Sequence, residues 1–143
     1  MVTGAAEFEG YKITSIPVIH SIKVKSMGYL IEKRNKRIFY TGDIISIKKK
    51  YLKRLTKLDL VITEASFFRK GGLIRKNKQG EIFGHAGVQD LVNLFAKRAA
   101  KIVFTHFGTW FLKDITTGRK KIKSLEGSDV TLDIAVDGAT FEI

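Results

Sequence analysis

The chain of 143 residues is 44% hydrophobic, enough for one domain, residues 1–143, with its own core and no need of a second. Its 26 Lys and Arg against 14 Asp and Glu give a formal net charge of +12, which suits either a solvated basic face or a surface for a polyanion such as nucleic acid. Absence of cysteine excludes disulfides and thiolate ligands, no apolar run approaches the roughly 18 residues of a membrane span, and Met1–Gly10 lacks the features of a signal peptide, so a cytoplasmic location is expected.

Residues 1–10 read as an opening loop or frayed strand, and Tyr11 to His20 as a strand in which Pro17 asks for an edge position or a strand start. Alternation over Ile22–Lys25 predicts a strand continuing through Met27–Lys33, and Arg34–Asn35 a hairpin into Lys36–Thr41. Lys48–Lys57 places Tyr51, Leu52 and Leu55 at helical spacing, predicting a short amphipathic helix. Leu58–Thr63 reads as a buried strand, and Phe67–Phe83 as a hairpin or ordered loop. Val88, Leu91, Val92, Leu94 and Phe95 mark a helix entered through Gly84–His85–Ala86–Gly87, whose backbone N–H groups could receive an anion. Ile102–Phe104 is a strand leading into Thr105–His106–Phe107–Gly108, and Lys113–Ser128 is part helix and part loop. Val130–Val136 alternates as a strand and turns at Asp137–Gly138 into Thr140–Ile143. Strands and helices in alternation, with several neighbouring strands antiparallel, imply an α+β fold: a mixed sheet with helices on one face.

The basic residues form separate clusters, at Lys48–Lys50 with Lys53 and Arg54, at Arg69–Lys78, and at Arg119–Lys123. No zinc-finger, aromatic RNA-binding or basic-zipper motif accompanies them. The chemistry-bearing residues are distributed differently. His20, His85 and His106, the only three histidines, each sit at an element boundary beside a small residue, and Asp43 and Glu64 also fall at strand ends. Imidazole and carboxylate donors brought together from strand ends suit Zn²⁺, Mn²⁺ or Fe. Glu64 beside His85 makes a different unit, in which the carboxylate orients the ring so that His85 can protonate a leaving oxygen.

The ordered set His20, Gly28–Tyr29, Tyr40–Thr41–Gly42–Asp43, Thr63–Glu64–Ala65–Ser66, Gly84–His85–Ala86–Gly87, Thr105–His106–Phe107–Gly108 and Asp137–Gly138 resembles the C-terminal half of metallo-β-lactamase-fold hydrolases, most of all their ribonuclease Z-like branch. The resemblance implies half of an αββα sandwich. It implies that His20 and His106 each bind one of two metal ions, that Asp43 bridges them, and that Glu64 and His85 assist departure of the leaving group. The His-x-His-x-Asp-His segment of that family does not occur in this chain, nor does the insertion that grips transfer RNA between His20 and Asp43. Each ion would then receive two ligands from this chain, below the three usual for catalytic zinc, so the chain alone is expected to bind metal weakly and to be inactive. Half a sandwich would also expose an apolar sheet face and seek a partner, either the N-terminal half or a second copy. The expected activity is phosphodiester hydrolysis, nuclease-like given the basic surface. The other function open at this point is a non-catalytic module that keeps the fold and binds nucleic acid or protein.

Overall fold

A computed structural model describes residues 4–143. Strands β1 (Ala5–Phe8), β2 (Tyr11–Val18), β3 (Ser26–Lys33) and β4 (Lys36–Tyr40) form an antiparallel meander. Strands β5 (Leu58–Ala65), β8 (Ala99–Phe107) and β9 (Thr131–Ile134) then add in parallel, giving one seven-stranded mixed sheet in the order β1-β2-β3-β4-β5-β8-β9. The remaining strands, β6 (Leu73–Lys76) and β7 (Ile82–His85), make a separate antiparallel hairpin. Four helices complete the fold among the described residues: α1 (Lys49–Leu52), α2 (Val88–Phe95), α3 (Thr109–Leu112) and α4 (Ile115–Lys123). None is long and apolar enough to cross a membrane.

One face of the sheet carries the core. α2 buries Val88, Leu91, Val92 and Phe95, at the i, i+3, i+4, i+7 spacing that makes a helix one-sided. They join Ile16, Leu30, Phe39, Val61, Ile102, Phe104 and Leu132 from the sheet, Phe111 from α3 and Ile122 from α4. Each such side chain taken from water contributes about 2 kcal/mol, before the entropy of ordering it. The expected mixed sheet with helices on one face is what the chain forms.

The opposite face is also apolar, because cross-strand pairs run Ile13–Ile31–Ile38–Leu60 across it. At its centre Leu60 is nonetheless 3% exposed and Val103 1%. The chain returns over this face after β9: Lys101 Nζ lies 5.0 Å from the Phe141 ring centroid, and Ile143 lines a pocket with Tyr11, Ile31 and Ile38. Asp137–Gly138 is a turn as expected, but the residues after it form no strand, because they lie against the sheet face and not along its edge.

Two further expectations are corrected. Ile22–Lys25 is a series of bends, since β2 and β3 pair only over Lys12–Val18 and Ser26–Glu32 and leave the segment between them without a neighbouring strand. The helix expected over Lys48–Lys57 stops at Leu52. Lys49, Lys50, Lys53 and Arg54 repel one another at helical spacing, and the Arg37 guanidinium draws the carbonyls of Arg54 and Thr56 out of the helical ladder. Pro17, by contrast, lies where β2 is an edge, since β1 covers only Tyr11–Thr14.

Candidate active site

The carboxyl ends of β4, β5 and β8 open into one cleft, the place where parallel strands leave loops free to carry ligands. A pocket of about 360 Å³ there is lined by Tyr40, Gly42, Asp43, Thr63, Glu64, Thr105 and His106. Each side chain is aimed by a local device. Gly42, at φ +61°, turns the chain out of β4 so that Asp43 faces the cleft. His106 is an extra residue in β8: Thr105 pairs with Glu64 and Phe107 with Ala65, leaving His106 unpaired at φ +51°. That bulge swings the imidazole off the pleat and toward Asp43, at a backbone cost of order 1–2 kcal/mol for a non-glycine residue in this conformation.

His20 follows β2 and is fixed twice to the β6–β7 hairpin: its carbonyl accepts from Gly84 N–H at 2.9 Å, and its Nδ1 donates to the Gly84 carbonyl at 2.7 Å. Because a carbonyl only accepts, Nδ1 carries the proton and Nε2 is left with its lone pair, 3.8 Å from Asp43 Oδ2. Gly84 itself is at φ +123°, and a Cβ there would lie 2.0 Å from the Leu73 carbonyl oxygen, so no side chain is possible where His20 docks. On the other side of the carboxylate, His106 Nδ1 is 2.8 Å from Asp43 Oδ1. Asp43 therefore offers one oxygen to each histidine.

Glu64 serves a different purpose. It is 1% exposed, and its oxygens accept from the Ile44 N–H at 2.6 Å, from the Ser66 hydroxyl, and from His85 Nδ1 at 2.8 and 3.0 Å. A buried carboxylate with every lone-pair direction used is a fixed acceptor, so His85 must present Nδ1–H to it and turn Nε2 outward. The rings of His20 and His85 meet edge to face with centroids 4.8 Å apart.

Five side chains far apart in sequence thus converge. Donor atoms of His20, Asp43 and His85 lie within 4.8 Å of one another, as do those of Asp43, Glu64 and His106. Nitrogen and carboxylate oxygen from these groups form a donor set that Zn²⁺, Mn²⁺ and Fe accept. The sequence reading passed over Ser66, whose hydroxyl bonds Glu64 and sits 3.4 Å from His106 Nδ1. Its signal was present: it stands two residues beyond Glu64 in the same strand-end motif. The anion site expected at Gly84–Gly87 is filled from within the chain, since Asp90 Oδ2 accepts from the N–H groups of Gly87 at 3.1 Å and Gly71 at 2.6 Å.

Comparison with known proteins points the same way. The chain is similar over most of its length to the metallo-beta-lactamase fold protein YhfI from Bacillus subtilis, at 20% identity and a TM-score of 0.69, covering 95% of this chain and 51% of that one. A diphosphatase of the PhnP family is similar at 21% identity and a TM-score of 0.67, with 97% and 46% covered. The short form of human tRNase Z is similar at 19% identity and a TM-score of 0.61, with 96% and 45% covered. The chain spans about half the length of each of these structures. No curated protein matches it. The fold they share generally binds metals such as zinc. The model of the beta-lactamase superfamily domain matches residues 2–107, a span that holds His20, Asp43, Glu64, His85 and His106 together, and the chain belongs to that superfamily.

Proposed function

We propose that this chain is the C-terminal half of a metal-dependent phosphodiester hydrolase of the ribonuclease Z-like branch, and that it works in the cytosol. The observation that supports this reading most is the division of five converging side chains into one group, His20 and His106 on either side of Asp43, and a pair in which the buried Glu64 holds His85. In the first group His20, Asp43 and His106 would hold metal, zinc foremost with Mn²⁺ or Fe as other occupants. Such ions, when bound, polarise a phosphoryl oxygen and make water nucleophilic near neutral pH.

The remaining steps belong to this chain's own groups. Glu64 keeps the His85 ring fixed by accepting from Nδ1–H, and His85 Nε2 gives a proton to the departing oxygen. Ser66 and the Ile44 N–H hold Glu64 in place while this happens. With Asp43 serving both ions, each would have two donors from this chain against the three usual in a catalytic site. The missing donors come from a separate chain that carries His-x-His-x-Asp-His and is set against the cleft, or from a second copy of this chain. Diphosphatase and tRNase Z among the similar structures favour phosphorus esters as substrates. The net charge of +12 favours an anionic substrate, and it equally supports a second reading, a nucleic-acid-binding module without catalysis.

The test is to supply a chain carrying His-x-His-x-Asp-His and assay hydrolysis of bis(p-nitrophenyl) phosphate with Zn²⁺ or Mn²⁺. Metal-dependent activity that His106→Ala abolishes supports the hydrolase. Activity that survives His106→Ala rejects the ligand assignment, and absence of activity with every such segment leaves the binding module as the better reading.

A further inference from the structure

A second hollow adjoins the candidate site at His20 and His85. It measures about 530 Å³ and is lined by the two histidines together with Ile22, Lys23, Leu73, Arg75 and Phe83. The register of the hairpin explains why. Leu73 pairs with His85 and Arg75 with Phe83, and residues directly opposite or two apart share a face, so β6 and β7 present His85, Leu73, Phe83 and Arg75 as one row. Arg75 thus stands one pleat repeat, roughly 7 Å along the strands, from the pair that holds His85. The facing wall is the segment Ser21–Lys23, pinned by the two hydrogen bonds between His20 and Gly84.

Neither the Lys23 ammonium nor the Arg75 guanidinium has an acidic partner among the described residues. Cations held beside an apolar floor with no carboxylate to neutralise them make an anion site with room for a planar ring. Ser21, Ile22 and Lys23 also line a larger neighbouring hollow of about 670 Å³, which adds Lys25, Lys48, Lys50 and Tyr51. Its single carboxylate, Glu81, accepts from the Asn77 side chain.

We propose that Lys23 and Arg75 form the subsite for the leaving-group side of the substrate, binding the phosphate next to the scissile one in a single-stranded oligonucleotide whose continuation follows the basic groove. The assignment rests on the phosphodiester reading, because His85 then faces the leaving oxygen and whatever is attached to that oxygen enters this hollow. A row of cations extending away from the site suits a chain of phosphates, whereas a small diester would leave Lys25, Lys48 and Lys50 without a ligand.

Binding tests this without requiring turnover. The probe is a fluorescein-labelled single-stranded oligonucleotide about ten nucleotides long, with anisotropy measured over a range of salt. The double variant Lys23→Ala/Arg75→Ala is expected to weaken binding roughly tenfold and to lower the magnitude of the salt slope by about 1.4, the loss of two phosphate contacts on a single strand. A charge-matched control, Lys57→Ala/Lys97→Ala, removes two exposed lysines that precede β5 and β8 at the opposite end of the sheet, and should change affinity less than twofold. Equal loss in both variants, or no loss in the first, overturns the subsite. Retained helix and sheet content by circular dichroism guards against misfolding, and charge reversal at Arg75 alone, Arg75→Glu, should reproduce most of the effect. If the oligonucleotide binds through Lys23 and Arg75 while no supplied segment yields hydrolysis, the hydrolase reading falls and the leaving-group role with it, leaving an oligonucleotide-binding groove. If hydrolysis appears but the double variant cleaves a long oligonucleotide as well as the native chain does, the subsite falls alone.

Discussion

Glu64–His85 and His20–Asp43–His106 sit side by side, yet they are built in opposite ways. Glu64 is 1% exposed and accepts hydrogen bonds from three different residues, all within this chain. His106 and Asp43 have side chains 57% and 36% exposed, and His106 keeps its place through a strained backbone. The first unit is finished by the fold. The second holds its donors ready for something further, which teaches that stability and ligand capacity are supplied by different residues of one cleft.

That contrast can be broken by mutation, and stability should respond first. Glu64→Ala strands the Ile44 N–H, the Ser66 hydroxyl and His85 Nδ1–H in a buried place, at about 3 kcal/mol in urea denaturation. Asp43→Ala, which cuts the exposed contact with His106, should cost less than about 1 kcal/mol. Equal losses would erase the distinction between the two units. A smaller effect sharpens it: His106→Gly relieves the backbone at φ +51° and should be about 1 kcal/mol more stable than His106→Ala, measured by thermal unfolding. A reversed order would remove the bulge from the account.

The smallest expected effect lies away from the cleft. At the α4–β9 corner the Leu132 N–H, donating to Glu126 at 2.6 Å, and then Lys123 hold that carboxyl below its ordinary value of 4.5. A depressed carboxyl contributes stability that is present above the ordinary value and is lost as pH falls through the lowered one. Glu126→Gln should therefore lower the melting temperature slightly at neutral pH and leave it close to native at low pH, which flattens the acid limb of a plot of melting temperature against pH.

Much of the cleft was legible in the sequence because the strands leading into it are apolar runs ended by Gly-Asp, Glu-Ala-Ser or Thr-His, and parallel strands bring such ends together. What could not be read was how each group is aimed. The bulge at His106 depends on the register between β5 and β8, a property of two segments some forty residues apart. The bond from Ile44 N–H to Glu64 is likewise a meeting of distant chain. Alternation over Ile22–Lys25 misled for an instructive reason: its apolar and basic residues line a groove, and a groove wall can alternate as a strand does. The covering of the second face by residues near Phe141 and Ile143 was invisible too, since no periodicity marks a segment that merely lies on a sheet.

The central claim is that His20, Asp43 and His106 together hold metal. Calorimetric titration of this chain with Zn²⁺ tests it most directly, alongside Asp43→Ala and His106→Ala. The account predicts weak but measurable binding by the native chain, falling at least about tenfold in either variant. Zinc affinity unchanged by both substitutions would contradict it.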